Sequence, residues 1–449
     1  NTQYMMIGLL EAPVLAFVLA YLVRYFNTDD EDNVGYVFNQ NENMPAYMFM
    51  SVVVALFIGL TVSAEEIIKD RKILKRESFL NLSRFSYLVS KIGIMFTLSA
   101  VQTILYVLVG NYVMGIKGMW GDYWLVLFTT SCFANMLGLN ISASFNSAVT
   151  IYILIPFLII PQLLLSGVIV KFDKLNPVFA TQGSVPLVGE MMTSRWAYEA
   201  LAVNQFKNNA SFKPFYKFEK AISEANYKRN YWKDEIEKKL SKIEKEIDDA
   251  TKKKELEADV LLVKNEIEKE GKLHPKLKYK YLDKITNSIT KGEVNSIKNY
   301  LNSTYKDYYL AVDKKARKAK DELSLKLNST PEKKEEFIKK QQDYQNEALE
   351  QALKNKNDLG PACLEKDGQL IQRTDPVYLY PTNNYGGAHF YAPKKKLFGK
   401  YFETFWFNIS VIWLMSITLM ITLYFDVLKR LLDLLGSLTE KLPFKKKKR

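Results

Sequence analysis

Two cysteines and two histidines among 449 residues leave little from which to build a cross-linked or metal-centred protein. Cys132 falls in an apolar run and Cys363 in a polar region, so the two make no disulfide framework, although pairing of Cys363 across a dimer stays open. His274 sits in a turn and His389 beside a Gly-Gly pair; with Cys363 they show no ligand spacing, and no metal site is read here. The chain has no GxxxxGK(S/T), hence no phosphate-cradling loop, and no HExxH or GxSxG, so no catalytic residue is assigned. No basic stretch precedes the first apolar segment and no small-residue cleavage site follows it, which argues against a signal peptide. The opening at Asn1, directly before that segment, reads as a fragment or a cleaved product. A net charge of +13 raises nucleic acid as a partner, but the basic residues are not interleaved with the aromatic platform that single strands stack on, and nucleic-acid binding is not expected.

What the chain has is blocked hydrophobicity. The mean hydropathy of −0.13 averages apolar stretches over 1–170 and 401–435 with a charged, polar stretch over 207–400. Six segments approach the about 20 residues that a bilayer requires of a helix: 4–26, 46–64, 87–109, 123–144, 149–170 and 402–425. In lipid the backbone must satisfy its own hydrogen bonds, so such runs read as helices. Pro156 and Pro161 predict a bend in the fifth. The loop 27–45 has no Lys or Arg and carries Asp29, Asp30, Glu31, Asp32 and Glu42. The loop 65–86 carries Lys69, Arg71, Lys72, Lys75, Arg76 and Arg84, and the tail ends in Lys-Lys-Lys-Lys-Arg. Positive charge marks the cytoplasmic side, so 65–86 and both termini are expected inside, and 27–45 and 171–400 outside. Glu11, one to two turns into the first segment, is an intramembrane acid, with a functional role and simple snorkelling both open.

The region 207–400 is rich in Glu and Lys between Tyr231 and Glu270, with one apolar stripe at Ile236, Leu240, Ile243 and Ile247 and another at Leu256, Val260, Val263 and Ile267. The spacing predicts helices, and the slip of register between stripes excludes one strict coiled coil. Gly271 to Pro275 ends this part with turn chemistry, and further helices are expected over about 276–303 and 307–356. Together they predict an external insert of helical hairpins or coiled coil. The stretch 360–396 shows little periodicity and is expected to pack irregularly against the membrane part.

Two stretches are more specific. From Leu165 the chain reads LSGVIVKFDKL, then GSVPLVGE, then MTSRWAYEALAVNQF up to Phe206. Between the second and third segments it reads SAEEIIKDRKILKRESFLNLSRFSYLVSK. These stretches resemble the ABCG-type (ABC-2, type V) ATP-binding-cassette exporters: a fifth membrane helix ending in Ser-Gly, a re-entrant helix after it, and a charged helix that couples the membrane domain to its ATPase. By that resemblance Glu65, Asp70, Arg71, Lys72, Arg76, Glu77 and Arg84 belong to the coupling region, with Tyr87 and Lys91 entering the next helix. Val168 and Ile169 correspond to an apolar exit plug, the alternative being two ordinary lipid-facing aliphatics. Phe57, Ile58, Ile160 and Leu163 take the cavity positions, and Arg195, Trp196 and Glu199 lie on the re-entrant helix. The family's stacking Phe has no counterpart other than Phe57 beside Ile58, and its external cysteines are missing.

The expectation is an all-α membrane protein with six spanning helices, a re-entrant helix and an external helical insert. It divides as 1–206, 207–400 and 401–449, the last holding the sixth segment and a basic cytoplasmic tail. The resemblance implies the permease part of an ATP-driven exporter for a hydrophobic or amphipathic substrate. It implies an ABC ATPase, fused before Asn1 or separate, that carries ATP and Mg; a second copy of the chain or a homologue; and surrounding membrane lipid. The Lys-, Asn- and Tyr-rich composition suggests a bacterium, hence an inner-membrane location. Two alternatives stand beside this: a mechanical relay acting on an envelope partner through the external helices, and a non-transport membrane scaffold.

Overall fold

The computed structural model describes residues 2–25, 35–77, 83–249 and 252–441. The acids Asp29, Asp30, Glu31 and Asp32, the terminal basic run at 445–449 and the side chain of Glu77 lie outside them. The protein is mostly helical, with only two small sheets among the described residues.

The apolar segments become α1 (Thr2–Val23), α2 (Met44–Ser63), α4 (Arg84–Met114), α5 (Trp120–Ser144), α6 (Ala148–Leu164) and α16 (Thr404–Tyr424), with the short α3 (Glu66–Glu77) between α2 and α4. Five described stretches are long and apolar enough to cross a membrane: Met6–Val23, Met44–Leu74, Arg84–Met114, Trp120–Ser144 and Thr404–Tyr424. The fifth expected span, 149–170, is shortened. Helix α6 contains Pro156 and Pro161 and stops at Leu164, 17 residues after it begins. Ser166 Oγ donates to Leu163 O at 2.8 Å and Gly167 takes φ +80°, a left-handed conformation that ends the helix.

Helices α2 and α5 form the centre and are largely buried. Their close approach depends on glycines on both sides. A Cβ on Gly59 of α2 would lie 2.6 Å from the Ser131 carbonyl oxygen of α5, and one on Gly138 of α5 would collide with Ser63 Oγ of α2. In lipid, where burial of apolar surface drives little, contact between backbones supplies much of the association. Helix α1 uses the same device against α4: Ala12, Ala16 and Ala20 are fully buried, while Ile7, Leu22 and their neighbours point outward. Polar pairs sit inside this bundle. Asn135 Nδ2 donates to Ser99 Oγ at 2.7 Å, and Tyr106 donates to Ser51 Oγ at 3.0 Å.

Beyond α6 come α7 (Leu187–Glu190) and α8 (Thr193–Asn208), the latter almost entirely buried against α2, α5 and α16. Next, α9 (Tyr216–Tyr227) runs through a π-helical turn at Lys228–Trp232 into α10 (Lys233–Glu246). After α11 (Lys253–Leu273), α12 (Lys291–Tyr300) runs through a second π turn at Leu301–Tyr305 into α13 (Lys306–Leu327). The two expected stripes, on α10 and α11, face one core together with Trp232, Leu301, Tyr305 and Tyr309. The expected helix over 276–303 begins only at Lys291, because Pro275 and the turns after it interrupt it; Thr290 and Glu293 cap it reciprocally. The expected helix over 307–356 is broken into α13, α14 (Pro331–Tyr344) and α15 (Glu347–Leu353), with Thr330 and Asn346 as caps.

The stretch 360–396, expected to be irregular, holds one antiparallel hairpin, β1 (Cys363–Lys366) with β2 (Gln369–Gln372), and begins a second, β3 (Lys394–Leu397) with β4 (Lys400–Glu403). Their turns hold Gly368 and Gly399 at positive φ. The tail after α16, expected only as basic, is an amphipathic helix, α17 (Val427–Lys441).

Candidate functional site

At one end of the bundle, α3 is held by α4, by α5 and by the residues that follow α5. Its free N-terminal N–H groups need acceptors. Ser142 Oγ, at the end of α5, accepts from Ile67 N at 3.0 Å and Ile68 N at 3.1 Å. Arg71 returns the contact: its guanidinium donates to the carbonyls of Phe145 at 2.9 Å and Ala143 at 3.1 Å and to Asn146, placing positive charge on the carbonyl end of α5. Lys91 of α4 pairs with Glu66 at 3.0 Å and Asp70 at 2.8 Å, and Tyr87 donates to Asp70 at 3.0 Å. Glu65 pairs with Lys69 at 2.8 Å. Arg84 closes the same end of α16, reaching Leu423 O at 3.2 Å and Asp426 at 2.5 Å. Glu65, Asp70, Arg71 and Arg84 are thus engaged within the chain. Lys69, Lys72, Ile73 and Arg76 are exposed on α3, leaving a basic face with one aliphatic side chain at its centre.

The other end of α16 lies about 22 Å away, the length of the 15 residues between Asn408 and Leu423. There Glu199, fully buried on α8, accepts four hydrogen bonds. Oε1 receives Lys395 Nζ at 2.8 Å and Tyr391 N at 3.0 Å; Oε2 receives Arg195 at 3.0 Å and Asn408 Nδ2 at 2.9 Å. Arg195, equally buried, also pairs with Glu190 of α7. Trp196 donates its indole N–H to Glu190 O at 2.8 Å. Two acids and two bases from α7, α8 and β3 close a balanced cluster, with Asn408 of α16 donating into it. Burial pushes the Lys395 ammonium below its usual range, opposed by Glu199. Burial likewise raises the Glu190 carboxyl, opposed by Arg195. The spacing of Arg195 and Glu199, one helical turn, is visible in the sequence. Lys395 and Asn408, some 200 residues further on, carry no signal that links them to it.

Beside this cluster the chain turns at Ser166–Gly167. Val168 packs partly on the bundle core and Ile169 is exposed. A Cβ on Gly167 would strike the Phe172 ring, so both the backbone angle and the neighbouring ring require glycine. Gly167→Ala is expected to cost about 1–2 kcal/mol for the left-handed backbone alone and more for displacing Phe172; a thermal melt no lower than that of the unaltered chain would contradict this. Of the proposed cavity positions, Phe57 and Ile160 are exposed, Leu163 is half-buried and Ile58 is packed inside the bundle. Glu11 is half-buried on α1. Among the described residues no group of His, Cys, Asp and Glu is arranged to hold a metal ion.

No curated protein matches the chain. Residues 1–206 match the family described as ABC-2 type transporter, so the portion from α1 to Phe206 on α8 is similar to the membrane domain of that family.

Proposed function

We propose that this chain supplies the permease part of an ATP-driven exporter, working as a pair of membrane domains that moves a hydrophobic or amphipathic substrate outward. The observation that carries this reading is α3. It is bolted to α4 and α5 by Lys91, Ser142 and Arg71, yet presents Lys69, Lys72, Ile73 and Arg76 outward. A short helix so attached transmits a push from a soluble partner to two membrane helices as a rigid-body motion. The partner is an ABC ATPase that carries ATP and Mg, docking at the cytoplasmic face. Val168 and Ile169 close the outward path next to the Glu199 cluster, and residues 207–400 stand outside the membrane.

With the ATPase partner reconstituted, Ile73→Ala and Arg76→Ala should leave folding and basal hydrolysis unchanged. Substrate transport should fall about tenfold, the equivalent of one lost contact of ~1.4 kcal/mol. Transport at the unaltered rate in both variants would remove α3 from the docking site.

One observation favours a second reading, the mechanical relay. Lys395, on β3, is 1% exposed and is tied directly to Glu199 of α8. The hairpin beyond α15 is thereby fastened to the buried helix of the membrane part, so a motion of one reaches the other. ATP-driven movement of residues 207–400 without any transported substrate would select this reading over the first.

A further inference from the structure

Helix α17 follows α16 with only Phe425 and Asp426 between them. Asp426 takes φ +52° and is pinned by Arg84, so the chain turns sharply at the end of the span. Seven of the first twelve residues of α17 are Leu or Val. Leu428 and Leu432 are half-buried toward the bundle, Leu428 packing near Ala64, Ile141, Ile151 and Ile155. A neighbouring stripe of Val427, Leu431, Leu434 and Leu435 is 42–59% exposed. Lys429 and Arg430 are exposed on the remaining face. The sequence then continues through Phe444 to the basic run Lys445–Arg449.

We propose that α17 is an interfacial helix that lies in the leaflet at the α3 end of the bundle and binds anionic phospholipid headgroups. Exposed apolar surface continues from the last turn of α16, where Ile421, Tyr424 and Phe425 are open, across the turn and into α17. A helix that starts where a span ends sits at the depth of the headgroup boundary, the place for leucines on one side and basic residues on the other. Neutral lipid would account for the leucines alone. The exposed Lys429 and Arg430, against only Asp433 on the same face, select negative headgroups. The inference rests on α16 crossing the bilayer and not on the transport reading.

The test uses the full chain in nanodiscs of phosphatidylcholine alone or of phosphatidylcholine with one-third phosphatidylglycerol, reading amide hydrogen exchange over 427–441. No ATP or ATPase is needed, so failure here is distinct from failure of the exporter assignment. Exchange is expected to be about tenfold slower in the anionic discs, with the difference abolished by high salt or by the pair Lys429→Glu and Arg430→Glu. Leu431→Ser with Leu434→Ser should abolish protection in both discs. Peptides of α5 serve as the control for folding in every variant. Equal exchange in the two discs, or no effect of the charge reversals, would overturn the headgroup assignment. Protection that appears only on adding the ATPase would assign this face to a protein instead.

Discussion

Glu199→Gln is expected to be among the most damaging single changes in the chain. It leaves the buried Lys395 and Arg195 facing one remaining acid, Glu190, and unpairing a buried ionic group costs about 3–5 kcal/mol. The thermal midpoint of the purified protein should fall accordingly. Lys395→Met combined with Glu199→Gln removes one charge of each sign and should be less destabilised than Glu199→Gln alone, a coupling that a double-mutant cycle reads directly. The loss should also depend on pH. Burial already holds the Lys395 ammonium below its usual range and Glu199 opposes this, so without Glu199 the folded state holds that proton less tightly than the unfolded chain does. The unfolded state then binds more protons, and stability rises with pH. A Glu199→Gln protein that melts like the unaltered one, at neutral and alkaline pH alike, would show that the cluster does not hold α8 in place.

The α2–α5 crossing should be equally intolerant. Gly59→Ala places a methyl group 2.6 Å from the Ser131 carbonyl oxygen, and a backbone atom has no rotamer by which to withdraw. Overpacking of this kind costs about 1–3 kcal/mol, and Leu at Gly59 or Gly138 should exceed that range, because both helices must part along a buried seam. Loss of monodisperse protein on extraction is the expected readout for the Leu variants, and a lowered melting midpoint for Gly59→Ala. A Gly138→Leu protein that is recovered and melts normally would mean that the two helices do not cross in close backbone contact. By contrast Gly93, with open space around it, should accept Ala without loss.

The position of these glycines shows why part of the molecule could be read in advance. Apolar runs of the required length mark membrane helices because composition and length alone decide partition into lipid, and α1, α2, α4, α5 and α16 follow those runs within a few residues. The charged helix α3 and the Ser-Gly stop after α6 are legible for the same reason: their residues act on their own local backbone. Periodicity likewise marks the stripes of α10 and α11, since helical spacing puts those side chains on one face whatever they later touch.

Other features depended on which segments meet. The expected core boundary at residue 206 follows a change in composition, but burial ignores it: Phe212, Tyr216, Leu349, Leu353, Val377 and Tyr378 pack into the same core as α2 and α5. The tail's basic composition concealed an amphipathic period in α17, because lysines after the helix dominate any count of charge. The hairpins within 360–403 are too short for alternation to stand out from noise, and their strands are fixed by cross-strand pairing and turn glycines.

The sequence by itself determined the membrane class, the positions of five spans, the charged helix α3 and the similarity over residues 1–206, because each depends on composition or on spacing within one segment. Only the tertiary structure decided that Lys395 and Asn408 complete the site begun by Arg195 and Glu199. It also decided that Ile58 turns inward while Phe57 does not. A buried charge must find its partner in space, and the chain distance to that partner leaves no trace in either local pattern.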